Sequence, residues 1–267
     1  MSLIEAAPDP RAVIVALHGG GVNERYFDAP GQPRNSLLRL GPSLGYTVIA
    51  LTRPGYSGEE SADSPEERAA LAFAAVDALL ADRPRGAGVF LVAHSAGCML
   101  AARMAASERG PELLGLELAG TGLHHHPRVR EAFEARGRIH DLIWHPSSLY
   151  PPGAARDPRI LSRAPLYEGT EGRRWREIFP ELASHVRVPL RYSLGDHELV
   201  WRTGPSALAE VAALFTASPR VVVHEQASGG HNLSLGLSAR AYHLSALAFA
   251  EECVLDRMSE ISRREAV

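Results

Sequence analysis

Ser95, His231 and a carboxylate at Asp196 or Glu198 are the residues whose types could do chemistry together. A serine hydroxyl is a weak nucleophile until an imidazole takes its proton. The imidazole in turn needs a carboxylate to hold its tautomer and steady its charged form. The chain carries these types in the order serine, acid, histidine, each in a turn that follows an apolar run. Brought together, such a set could carry out acyl transfer through a covalent serine ester. All 28 basic residues are arginine, which excludes a Schiff-base lysine, a Ser-Lys dyad and a P-loop lysine.

The elements that must position these residues are legible as apolar runs. Residues 89–93 read as a short buried strand ending in Ala93-His94-Ser95-Ala96-Gly97, and an Ala, Leu and Met-rich helix follows. Small residues two before and two after the serine permit a turn so sharp that its hydroxyl stands at the end of the strand. Residues 12–17 form another apolar run, which enters His18-Gly19-Gly20-Gly21. Glycines there let the backbone approach a ligand and turn its N–H groups outward. A strand over 188–194 runs into Gly195-Asp196-His197-Glu198. The last strand, 220–224, runs into Ser228-Gly229-Gly230-His231-Asn232.

Strands over 46–51 and 113–119, and helices over 36–44, 64–82 and 204–217, complete an alternation of strand and helix. Ser64, Pro65 and Glu67 form a capping sequence for the second helix. A helix over 238–258 closes the chain, with 259–267 expected as a frayed polar tail. Such alternation demands a mostly parallel sheet covered on both faces, with the site beyond the carboxyl ends of its strands. Between 123 and 187 the pattern changes to arginine, proline and large aromatics, with helices expected only over 127–136 and 173–178.

These motifs together resemble the α/β-hydrolase family, whose nucleophile elbow reads G-x-S-x-G; Ala93 stands at its first small position. Arg53-Pro54-Gly55-Tyr56-Ser57-Gly58 is similar to the family's D-x-P-G-x-G-x-S loop, with Arg53 at the first position. The resemblance implies an α/β-hydrolase fold, a mostly parallel sheet flanked by helices. It is N-terminally trimmed, since only about a dozen residues precede the first core strand and 2–5 can form one edge strand at most. It further implies a core of residues 1–122 and 188–267, with a helical lid, residues 123–187, inserted before the penultimate strand.

Carried onto this chain, the family's roles make Ser95 the nucleophile and His231 the base. Glu198 is favoured as the acid, with Asp196 as competitor; the carboxylate not used is expected to bind backbone N–H groups of the turn. Gly20, then Gly21, would join Ala96 as oxyanion donors. His18, His94, Trp144, Tyr150 and Trp175 are the substrate-side candidates, the three aromatics from the lid. The activity implied is serine-dependent cleavage of an ester, thioester or lactone of a small to medium, partly apolar molecule. The alternatives are C–C bond hydrolysis or acyl transfer by the same triad, or ligand binding without turnover.

The rest of the composition narrows the partners. The formal charge of -3 argues against nucleic acid. No apolar run approaches the roughly 20 residues that span a bilayer. Cys98 and Cys253 are isolated thiols, and the N-terminus lacks a signal-peptide core, so a reducing, cytoplasmic location is expected. The absence of lysine points to a GC-rich bacterial genome. No cofactor or metal is expected, and His124-His125-His126 reads as a polar loop because consecutive side chains diverge. The partner is a small-molecule substrate, and the chain is expected to be a monomer or homodimer.

Overall fold

β2 (Val13–Leu17) and β3 (Thr47–Leu51) are buried at every position, which requires a sheet covered on both faces. In the computed structural model, residues 1–56, 64–134 and 139–265 are described. The remaining strands are β1 (Leu3–Glu5), β4 (Val89–His94), β5 (Leu113–Ala119), β6 (Leu190–Gly195) and β7 (Val221–Gln226). Among the described residues the sheet has seven strands, in the order β1-β3-β2-β4-β5-β6-β7. Only the β1–β3 pair is antiparallel, so the short first strand caps one edge of an otherwise parallel sheet.

Register brings the chemistry to one edge. Leu17 pairs with Ala93, His94 with Ala119, and Ala119 with Ser193. The residues that follow these strand ends, His18, Ser95, Gly120 and Asp196, therefore emerge side by side. Side chains alternate across a strand, and the two cores divide accordingly. Val13, Val15 and Leu17 join the layer under α2 (Pro65–Leu80), α3 (Ala96–Ala106), α6 (Leu166–Ser184) and α7 (Pro205–Ala212). Ile14 and Ala16 join the layer under α1 (Leu37–Ser43) and α8 (Ala239–Glu265). The second layer also holds a buried ion pair: Glu117 of β5 accepts from Arg191 of β6 at 2.6 Å and from Tyr242 of α8 at 3.2 Å.

Local signals account for most boundaries. Ser64 and Glu67 cap each other's end of α2 reciprocally. Two helices depart from expectation. The predicted frayed tail from 259 is instead a continuation of α8 to Glu265. The helix expected over 173–178 spans 19 residues, 166–184. Gly169, Gly172 and Pro180 lower its intrinsic propensity, and packing against α3 supplies the support that propensity does not. With α4 (Pro127–Glu134) and the unanticipated α5 (Ile139–Ile143), α6 forms the insertion between β5 and β6. The final predicted residues of the helix over 127–136, and Ser57 and Gly58 of the glycine loop, lie outside the described residues.

Candidate active site

Ser95 sits at φ 51° and ψ −121°, a conformation a non-glycine residue adopts only when its surroundings enforce it. Its N–H is held by the Ala119 carbonyl at 2.8 Å. The constraint on the elbow is measurable at Gly97, where a Cβ would lie 2.3 Å from the Leu17 carbonyl oxygen. A Cβ on Gly19 would approach His94 Nδ1 to 2.9 Å and Ser95 Cβ to 3.2 Å. Both glycines are thus required for the loop after β2 and the turn at Ser95 to touch.

His231 Nε2 stands 3.1 Å from Ser95 Oγ, and its Nδ1–H donates to Glu198 Oε2 at 2.7 Å. Glu198 is fixed in turn, because its Oε1 accepts the Val200 N–H at 2.6 Å. Asp196 has a different task. It accepts from the N–H groups of Ser228 and Gly229 at 3.0 and 2.9 Å and from His197 at 2.7 Å. Burial opposes its charge, but these donors hold its carboxyl below the usual range. Asp196 therefore stitches the turn after β6 to the loop after β7, while Glu198 reaches the imidazole. The two loops meet backbone to backbone: a Cβ on Gly195 would be 2.2 Å from the Gly229 oxygen.

Ala96 is the first residue of α3, where a helix leaves its N–H without an intrahelical acceptor. Among the described residues no acceptor takes the Gly20 N–H either. Gly21 differs: its N–H donates to Tyr56 Oη at 3.2 Å, so it is not free to serve as a second donor.

The substrate-side candidates take other positions. His18 is fully buried; its Nδ1–H donates to the Gly19 carbonyl at 2.9 Å, and burial followed by the nearby Arg53 charge lowers its pKa strongly. His94 is buried too, stacked on Tyr26 with ring centres 4.7 Å apart, and its Nε2–H donates to the His231 carbonyl at 2.8 Å. Tyr150 lies against the histidine loop, where its hydroxyl accepts the Asn232 N–H at 3.1 Å. Trp144 packs edge-on to Tyr150 at 5.1 Å. Trp175, 1% exposed, stacks on Phe179 at 4.5 Å and anchors α6 to the core. All five side chains are buried, and Trp175 belongs to the core layer under α6. The three consecutive histidines separate as expected: His124 meets Glu210, His125 stacks on Trp201, and His126 accepts the Arg128 N–H. Among the described residues no three His, Cys, Asp or Glu side chains converge as a metal site would need.

Sequence reasoning missed Arg53, Tyr56 and Glu168. Arg53 is 2% exposed and approaches Glu168 of α6 to 2.6 Å. The one available signal was an arginine at a loop position where the resembled motif carries an acid. No spacing indicates which of the insertion's carboxylates answers it.

The pattern of the Alpha/beta hydrolase family matches residues 14–250. Among curated proteins, none is significantly similar in sequence. Solved structures share the fold at low identity. A monoacylglycerol lipase of Paleococcus ferrophilus superposes with a TM-score of 0.65 at 18% identity, over 95% of this chain and 98% of its own. A thermostable carboxyl esterase of Bacillus coagulans gives 0.66 at 18%, over 95% and 94%. A thioesterase domain from the curacin biosynthetic pathway gives 0.56 at 17%, over 92% and 94%.

Proposed function

The chain belongs to the alpha/beta hydrolase family, and from that premise we propose that it is a serine hydrolase cleaving an ester, thioester or lactone. The observation that carries this reading is the continuous relay from Ser95 Oγ through His231 to Glu198, at 3.1 and 2.7 Å. In the proposed reaction His231 Nε2 takes the serine proton as Oγ attacks the acyl carbon. Glu198 holds the proton on Nδ1 and stabilises the imidazolium. The N–H groups of Gly20 and Ala96 receive the oxyanion, each worth about 3 kcal/mol in the transition state. The imidazolium then protonates the leaving group. Water, activated by the same imidazole, releases the acid and restores Ser95.

The three similar structures are named as a lipase, an esterase and a thioesterase, which supports acyl chemistry without choosing among acyl groups. The insertion is assigned as the lid. Its α6 lies over the elbow, since a Cβ on Gly172 would be 3.8 Å from Met99 and one on Gly20 would be 2.9 Å from Glu168.

Intact-mass spectrometry after exposure to a fluorophosphonate tests the reading. One adduct on the wild type and none on Ser95→Ala is the expected result, followed by turnover within a panel of p-nitrophenyl esters, thioesters and lactones. A folded wild type that takes no adduct and turns over no member of the panel would overturn it.

A further inference from the structure

The Gly19 carbonyl accepts two side-chain hydrogen bonds, from His18 Nδ1–H and from Arg53 Nη2, both at 2.9 Å. A peptide unit is planar and trans, so its C=O and N–H point in opposite directions. Holding the Gly19 oxygen therefore aims the Gly20 N–H, the oxyanion donor of the proposed reaction. On the other side of Gly20, the Gly21 N–H donates to Tyr56 Oη at 3.2 Å. Arg53 and Tyr56 thus grip the two peptides that flank Gly20.

Both grips depend on one carboxylate. Glu168 Oε1 lies 2.6 Å from Arg53 Nη2, an ion pair that is close but not linear as a hydrogen bond. Glu168 Oε2 accepts from Tyr56 Oη–H at 2.9 Å. Arg53 Nη2 also donates to Tyr56 Oη at 3.2 Å, which closes the triangle. Glu168 is the third residue of α6, so this carboxylate is brought to the oxyanion loop by the lid and not by the core. It even bounds Gly20 sterically, as the 2.9 Å approach to a Cβ there indicates. Arg53 carries a permanent charge in a buried place. Without Glu168 that charge has reason to turn toward water and release the Gly19 carbonyl. With Glu168 present, the pair is neutral and adds no net negative charge where the oxyanion forms.

We propose that Glu168 is a positioning residue for the oxyanion loop, acting through Arg53 and Tyr56, so that seating α6 and completing the oxyanion hole are a single event. The proposal rests on the serine-hydrolase reading and deepens it. Glu168 touches no reacting atom. Its effect is to make the geometry of the Gly20 N–H conditional on the lid.

The experiment compares wild type, Glu168→Ala and Tyr56→Phe with a p-nitrophenyl ester and a trifluoromethyl ketone. The ketone adds to the serine as a tetrahedral anion and so reads the hole directly. For Glu168→Ala the expected fall in kcat is about 30–100-fold, short of or equal to the loss of a whole oxyanion donor. KM should stay within about threefold, and the ketone Ki should rise by the same factor as kcat/KM falls. Tyr56→Phe removes one hydroxyl, keeps the ring, and should show the same coupled change at roughly 3–10-fold. If Glu168→Ala does not fold, Tyr56→Phe alone decides. A drop in kcat with unchanged ketone Ki would mean a merely structural role and overturn the proposal, as would wild-type kcat in both variants. A folded wild type that binds no ketone, takes no fluorophosphonate adduct and turns over no ester, thioester or lactone of the panel would overturn the serine-hydrolase reading itself, and the two failures are thereby distinct.

Discussion

His94 and His231 are joined through the backbone: the imidazole of His94 donates to the carbonyl of His231 at 2.8 Å, while the His231 ring faces Ser95, the residue that follows His94. The strand end that precedes Ser95 thus grips the loop that carries His231. Burial, then the neighbouring His231, keeps His94 neutral, so it donates from Nε2 without adding a charge beside the site. The relation explains how two loops 136 residues apart hold Ser95 and His231 at 3.1 Å.

Removing this grip should loosen the relay. His94→Phe keeps the stacking on Tyr26 and removes one of the two donors to the His231 carbonyl, leaving the Leu233 N–H at 3.1 Å, which costs about 1 kcal/mol. We expect kcat to fall about tenfold with little change in KM, together with a lower Tm. Steady-state kinetics and calorimetry check both; an unchanged kcat would mean that the loop holds itself.

The two carboxylates of the turn after β6 should separate cleanly. Glu198→Gln removes the charge that faces His231 Nδ1 and should lower kcat by about 10³–10⁴. Asp196→Asn weakens the bonds to Ser228 and Gly229 and should lower stability by about 1 kcal/mol, with kcat within roughly tenfold. Kinetics and urea unfolding of both variants test the division, and the reverse ranking of kcat would reassign the acid.

Acid should destabilise the protein through its buried histidines. Burial lowers the pKa of His243 to about 3, and the pKa values of His18 and His94 are lowered in the same direction. An unfolded histidine titrates near 6.5. Below that value the unfolded chain binds a proton that the folded chain refuses. Stability is therefore intact above about 6.5 and falls by roughly 1.4 kcal/mol per pH unit per histidine toward the folded pKa. His243→Gln should remove one proton's worth of that slope between pH 6.5 and 4. Scanning calorimetry across this range reads it; parallel Tm curves for variant and wild type would refute it.

The ion pair inside the sheet should matter by its balance more than by its presence. Glu117→Gln leaves Arg191 buried without a counter-charge and should cost about 3–5 kcal/mol. The double variant Glu117→Leu with Arg191→Met removes both charges and should recover most of that loss. Urea unfolding of the single and double variants is the measurement, and additive losses in the double would contradict the expectation.

The sequence by itself determined the strands, the serine and histidine that could react, and a choice between two carboxylates. These follow from local pattern: apolar runs such as 12–17 and 46–51 read as buried strands, and the small residues Ala93 and Gly97 about Ser95 permit a sharp turn. It also put His231 and a carboxylate at neighbouring strand ends, because parallel strands deliver their C-termini to one edge. Which carboxylate faces His231 was decided by the tertiary structure, since both side chains reach the loop after β7, Asp196 at the backbone of Ser228 and Gly229 and Glu198 at the imidazole. The framework roles of His18 and His94, and the burial of Trp175 against Phe179, were decided there too. Composition marks such residues as suited to a pocket or to a core alike. The contact of Arg53 with Glu168 joins a core loop to the third residue of α6, and that helix is held in place by packing on α3 rather than by its own propensity. Its start, and with it the aim of the Gly20 N–H, exists only once sheet, elbow helix and insertion have come together.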